Sequence, residues 1–186
     1  MKTYKMNIAG CERALPLCPL NDKISIAAFV MFGDVELTEA CAKALLERAP
    51  EYDYLLTAEA KGIPLCYEMA RQSKAETYIV ARKKSKFYMT GVLDVEVNSI
   101  TTSGTQHLYL DQLDVDVIRG KRVLIVDDVI STGESLHALE ALADQAGAVI
   151  AGRMAVLAEG ESAKRPDLVY LNPLPLFDPE GNPIWD

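Results

Sequence analysis

Zinc-binding spacing is missing from this 186-residue chain: its four cysteines, at positions 11, 18, 41 and 66, form no CxxC pair and have no histidine cluster beside them. Reduced thiols packed as small apolar groups are the reading that remains. Long apolar runs are missing too. Ile24 to Phe32 and Val123 to Val126 are interrupted by polar residues or fall far short of the roughly 20 apolar residues that a bilayer span needs. The opening Met1-Lys2-Thr3-Tyr4-Lys5-Met6-Asn7 has neither the apolar stretch nor the small-residue cleavage site of a secretory signal, so a cytoplasmic protein is expected and no membrane partner. Cations are in deficit, with 19 Lys and Arg against 27 Asp and Glu and a net charge of −8. Phosphate neutralisation needs the opposite balance on one face, and residues 1 to 50 show no basic stripe or helix-turn-helix pattern, so nucleic acid is not an expected partner.

What is present is ordinary globular composition, 49 % apolar and 25 % charged, in a length that suits one domain spanning residues 1–186. Leu37, Ala40, Cys41, Ala44 and Leu45 share one stripe, which predicts a helix from Glu36 to Ala49 ended by Pro50. Tyr54 to Thr57 and Thr77 to Ala81 read as short strands around a helix from Pro64 to Gln72. Residues 84 to 106 carry Gly91, Gly104 and a Ser/Thr cluster with weak strand signals near Asp94 to Val97, which predicts a mobile excursion closed by a strand at Leu108 to Leu110. Arg122 to Val126 is the β-branched run of a central parallel strand, followed by a helix over Glu134 to Ala146 and a further strand between Ala148 and Leu157. Alternating strands and helices predict an α/β fold with a mainly parallel central sheet flanked by helices, its ligands at the carboxyl ends of strands. The tail from Asn172, with four prolines and Trp185, is expected to pack as an irregular arm or hood.

The most informative stretch is Val123-Leu124-Ile125-Val126-Asp127-Asp128-Val129-Ile130-Ser131-Thr132-Gly133-Glu134-Ser135. Four apolar residues deliver two adjacent carboxylates to the end of a strand, and a hydroxyl-rich loop then opens a helix. Unpaired N–H groups at the start of a helix point at a bound anion, and the helix dipole favours it. Gly133 permits close backbone approach, while Ser131, Thr132 and Ser135 offer hydroxyl donors. There is no GxxxxGK[ST] and no GxGxxG, so neither a P-loop nor a dinucleotide site is indicated. The acids point to a sugar, whose vicinal hydroxyls donate to carboxylates one short loop away from a phosphate.

Val123 to Ser135 resembles the ribose-phosphate signature of the type I phosphoribosyltransferases, which convert 5-phospho-α-D-ribosyl 1-pyrophosphate (PRPP) and a nitrogenous base to a nucleotide and pyrophosphate. Thr57-Ala58-Glu59-Ala60-Lys61-Gly62 is similar to the pyrophosphate loop of the adenine and xanthine members, and Ala81-Arg82-Lys83-Lys84-Ser85-Lys86 to the cationic start of their flexible catalytic loop. The resemblance covers roughly residues 50 to 150. It implies the type I fold, with a core over about 34–171 and a small hood from 1–33 and 172–186. It also implies that Asp127, Asp128, Ser131, Thr132, Gly133, Glu134 and Ser135 bind the ribose and 5′-phosphate of PRPP. By the same resemblance Ala60, Lys61, Gly62, Arg82, Lys83 and Lys86 bind pyrophosphate, and Arg82, Lys83, Lys86 and Glu59 act in catalysis. Mg²⁺ held mainly by PRPP oxygens is the implied cofactor, a purine base the second substrate, and a homodimer the implied assembly. The leaving pyrophosphate gathers negative charge that the cationic groups can stabilise, and a lid over residues 84 to 106 can exclude water from an oxocarbenium-like transition state.

The hypoxanthine-guanine branch carries an aspartate where this chain has Ser131, which disfavours that branch. The adenine branch has a small residue there, although Thr102-Ser103-Gly104-Thr105 lacks its usual acid. Adenine is therefore the expected base, with Ile24, Ile26, Phe29, Val30 and Phe32 available to stack on a flat ring and Glu59, a carbonyl or solvent to take its proton. Xanthine or another base, and a PRPP-sensing regulator without turnover, are the alternatives.

Overall fold

The computed structural model describes residues 2–97 and 106–185. The chain opens with a hairpin of β1 (Thr3–Ile8) and β2 (Cys11–Pro19), turned by Ala9 and Gly10, both at positive φ. A short β3 (Ser25–Ala27) follows, then α1 (Val35–Leu46), β4 (Tyr54–Ala58), α2 (Gly62–Ser73) and β5 (Ile79–Ala81). The middle of the chain forms β6 (Leu93–Val97), β7 (Gln106–Leu110) and α3 (Gln112–Ile118). The last third holds β8 (Arg122–Ile130), α4 (Glu134–Gln145), β9 (Val149–Glu159), a 3₁₀ turn (Gly160–Lys164), β10 (Leu168–Leu174), β11 (Leu176–Phe177) and β12 (Pro183–Ile184).

The expected parallel sheet is there, in the order β10-β9-β8-β4-β5. Its central strand shows why Val123 to Val126 is uninterrupted by polar residues: all four are 0 % exposed. Period-two alternation sends Leu124 and Val126 into one core, shared with α1 and α2. Val123 and Ile125 go into a second core, shared with α3 and α4. Asp34 caps α1 by accepting from Leu37 N at 3.2 Å, and Arg13 on β2 grips that cap at 2.6 Å, which ties the opening hairpin to the first helix.

A second sheet departs from expectation. The N-terminal arm and the tail, read as a loosely structured hood, pair into a five-stranded antiparallel sheet ordered β1-β2-β3-β11-β12. The prolines of the tail obscured this, because Pro175 directly precedes β11 and Pro183 begins β12. β10 also crosses the expected core boundary at residue 171. Phe29, expected to meet a flat ring, is instead 4 % exposed within the core, whereas Val30 and Phe32 stay at the surface. The 84 to 106 excursion is partly regular: β6 and β7 form an antiparallel hairpin packed on α4. Residues 98–105, including the Thr102 to Thr105 run, lie outside the described residues. Helix α3 escaped the periodicity reading because its seven residues bury only Val115 and Ile118.

Candidate functional site

β4 and β8 are parallel neighbours, with Tyr54, Leu55 and Leu56 opposite Val123, Leu124 and Ile125. Their carboxyl ends therefore open side by side, and the loop after β4 faces the two acids of β8. A cavity of about 290 Å³ lies there, lined by Glu59, Ala60, Lys61, Lys83, Asp127, Asp128 and Ser135, with His107 and Leu108 from β7 closing one side. A smaller hollow of about 60 Å³ adjoins it, bounded by Ser131, Thr132, Gly133, Glu134 and Ser135. Asp127, Val129 and Ser135 border both.

The hollow is the start of α4. Its N-cap is Gly133 at φ 82°, and among the described residues no side chain caps the helix there. The first N–H groups of α4 are thus left for an anion, with the helix dipole behind them. A Cβ on Gly133 would find room, its nearest neighbour being Arg165 Nη1 at 3.7 Å, so the left-handed φ is what calls for glycine. Ser162 Oγ donates to the Ser131 carbonyl and holds the loop from behind.

The acids differ in their surroundings. Asp128 is 2 % exposed, and its Oδ2 pairs with Lys61 Nζ at 2.9 Å. Asp127 keeps some surface in the cavity and accepts Asp128 N at 2.8 Å. Burial pushes the Asp127 carboxyl up from its ordinary range, and the negative charge of Asp128 pushes it further. Glu59 is held below its ordinary range, chiefly by the N–H of Lys83, which donates to Oε2 at 2.9 Å, and also by Arg82 at 3.3 Å. The Glu59–Ala60 peptide is cis. Gly62 begins α2 hard against the site: a Cβ there would collide with Thr57 Oγ1 and come within 3.0 Å of Asp127 Oδ1.

Most residues singled out in the sequence therefore meet. Glu59, Ala60, Lys61, Lys83, Asp127, Asp128 and Ser135 share one cavity, and Ser131 to Glu134 frame the adjoining hollow. Three do not line either space. Gly62 is buried beneath them. Arg82 faces a different cavity of about 460 Å³ beside Tyr78 and Tyr88, its guanidinium drawn to Glu59. Lys86 lies close enough to lower the Glu59 pKa but outside both walls. His107 went unnoticed in the sequence. Its only signal is that alternation in β7 buries Leu108 and Leu110 and so turns residue 107 to the other face.

Residues 36–172 match the model of the phosphoribosyl transferase domain family. A hypoxanthine/guanine phosphoribosyltransferase of Methanococcus voltae is 34 % identical over 135 residues, covering 73 % of this chain and 68 % of that protein. The protein of the same name from Methanotorris igneus is 36 % identical over 112 residues, covering 60 % of this chain and 57 % of that one. The one from Methanocella paludicola is 33 % identical over 114 residues, covering 61 % and 56 %. In these last two the match spans less than two thirds of the relative's length. Among solved structures, adenine phosphoribosyltransferase from Thermoanaerobacter pseudethanolicus superposes with a TM-score of 0.68 at 19 % identity, covering 86 % of this chain and 95 % of that one. The Rhodothermus marinus enzyme gives 0.67 at 24 % identity, covering 86 % and 94 %. With the family model matching from α1 to β10 and those folds superposing on most of the chain, this protein belongs to the phosphoribosyl transferase domain family.

Proposed function

We propose that the chain is a purine phosphoribosyltransferase, moving the 5-phosphoribosyl group of PRPP to a purine nitrogen and releasing pyrophosphate. The observation that carries this reading is the meeting of an uncapped helix start, two adjacent carboxylates and a lysine-bearing loop at the ends of neighbouring parallel strands. In this reading the N–H groups and hydroxyls of Ser131 to Ser135 hold the 5′-phosphate. Asp127 and Asp128 accept from the ribose hydroxyls, at the same strand end one loop away. Lys61 and Lys83 face the pyrophosphate, and Arg82 and Lys86 reach it by swinging inward from Glu59 and the loop beyond.

Among the described residues no group of three or more His, Cys, Asp or Glu side chains is arranged to cage a metal. The two carboxylates of Asp127 and Asp128 in the cavity suit an Mg²⁺ ion carried mainly by PRPP oxygens, whose charge they would balance. Bound there, Mg²⁺ would neutralise charge on the pyrophosphate as it leaves. The β6–β7 hairpin packs on α4, and His107 and Leu108 of β7 line the cavity, so in this reading the hairpin shields it from water. The chain acts as one domain, the antiparallel sheet forming its hood, and works in the cytoplasm as a homodimer.

Adenine is the base favoured by Ser131, which offers no carboxylate to a purine N7. Hypoxanthine or guanine is the second reading, favoured by the names of the relatives at 33 to 36 % identity. Pyrophosphate release from PRPP and Mg²⁺ with adenine, hypoxanthine, guanine, xanthine and orotate in turn separates them. Higher kcat/KM for a 6-oxopurine than for adenine removes the Ser131 argument. Absence of release with every base, while PRPP binds, replaces the enzyme with a PRPP sensor.

A further inference from the structure

β7 is locked beside the cationic segment that follows β5. Arg82 and Tyr109 exchange both backbone hydrogen bonds at 2.8 Å, so the residues just before Tyr109 run alongside Lys83 and Lys84. The phase of the strand is set by Leu108 and Leu110, 3 % and 0 % exposed in the second core. His107 and Tyr109 consequently share the opposite face, where their rings stack with centroids 5.8 Å apart and planes 22° from parallel. His107 is also a wall of the cavity that contains Lys61, Lys83, Asp127 and Asp128.

The imidazole is oriented from two sides. Tyr109 supports its face, and Asp94 Oδ2 on the partner strand β6 stands 3.1 Å from Nδ1. A carboxylate only accepts, so Nδ1 carries the hydrogen and Nε2 is the nitrogen left for the cavity. As an imidazolium the ring donates from both nitrogens at once, to Asp94 on one side and to an anion on the other. A cross-strand pair whose only task were to hold the hairpin together would need no place in the wall of a cavity.

We propose that His107, positioned by Asp94 and Tyr109, is a pyrophosphate-contacting residue that donates a hydrogen bond from Nε2 to the phosphate oxygens of PRPP and of the departing pyrophosphate, beside Lys61 and Lys83. The inference rests on the phosphoribosyltransferase reading and adds to it a residue outside every motif that reading used. It assigns the β6–β7 hairpin a share in the chemistry: the hairpin brings a donor to the anion as well as covering it. A contact that strengthens as negative charge develops acts on kcat more than on the KM of the base.

The chain has two histidines, which makes the test direct. Imidazole resonances are assigned with a His137→Gln variant, then followed while wild-type protein is titrated with Mg²⁺ and pyrophosphate, and separately with Mg²⁺ and PRPP. The His107 Nε2 and Cε1 signals are expected to move with the same Kd that calorimetry gives for pyrophosphate, and less with ribose 5-phosphate. His107→Asn is expected to lower kcat by about tenfold or more with the KM of the base within about twofold, and Asp94→Asn to act in the same direction more weakly. Calorimetric binding of pyrophosphate with stationary His107 signals overturns the proposal and leaves the phosphoribosyltransferase reading standing, as does a His107→Asn kcat within about twofold of wild type. Binding of neither PRPP nor pyrophosphate overturns both.

Discussion

Gly62 is where the packing of the fold and the geometry of the site can be separated by one methyl group. Gly62→Ala places a Cβ into Thr57 Oγ1 and 3.0 Å from Asp127 Oδ1, with the Asp127 Cα only 3.5 Å away. Neither neighbour can step aside freely. Thr57 is 0 % exposed in β4, and Asp127 lies on the central strand. Overpacking of this kind costs about 1 to 3 kcal/mol, against which the better helix propensity of Ala at α2 returns up to about 1 kcal/mol. Net destabilisation of about 1 to 2 kcal/mol at this chain length corresponds to a fall in Tm of roughly 2 to 8 °C. Among the described residues Thr57 Oγ1 has no hydrogen-bond partner, so Thr57→Ala opens the needed space without breaking a bond seen there. The double variant should therefore be more stable than the sum of the singles by about 1 kcal/mol or more. Urea unfolding of the four proteins measures that coupling, and calorimetry with PRPP and Mg²⁺ measures the displacement of Asp127 as at least a tenfold loss of affinity in Gly62→Ala. Stability of Gly62→Ala within about 0.5 kcal/mol of wild type, or strict additivity with Thr57→Ala, would refute the steric argument.

Asp127→Asn should make the unliganded protein more stable at pH 7 to 8 while weakening PRPP binding. The folded pKa of Asp127 is raised, so the folded state binds the proton more tightly, and wild-type stability falls as pH rises from the unfolded value near 3.8 through the folded one. A pH series of urea midpoints checks this, and equal midpoints for the two proteins at pH 7 would contradict it. Asp34→Ala removes both the α1 cap and one of the two acidic partners of Arg13, leaving Glu36, for a loss of about 1 to 2 kcal/mol at neutral pH. Because Arg13 lowers the Asp34 pKa, that difference is present above the unfolded value and disappears as pH falls through the folded one, which thermal melts down the acid limb should trace. Amides of β6 and β7 should exchange more slowly with PRPP and Mg²⁺ bound than without, and unchanged protection would deny the hairpin a covering role.

Local patterns in the sequence determined α1, α2, α4 and the run from Val123 to Ser135. In each, the deciding signal lies within a dozen neighbouring residues: a helical stripe, a β-branched run, a glycine at a helix start. The pairing of β4 with β8, which sets Lys61 against Asp128, joins residues far apart in the chain, and tertiary structure alone decided it. The same holds for the antiparallel sheet built from both ends of the chain. Apart from β1, its strands are short or carry proline, and they become strands by finding partners rather than by propensity. Phe29 shows the limit from the other direction: an apolar residue looks the same in sequence whether it stacks on a ligand or fills a core, and only its neighbours distinguish the two. His107 and Asp94 stand thirteen residues apart and meet because the hairpin register brings them together. Gly62 could have been any small residue on local grounds. It must be glycine because Thr57 on β4 and Asp127 on β8 approach it closely, and close approach between distant segments leaves no trace in local periodicity.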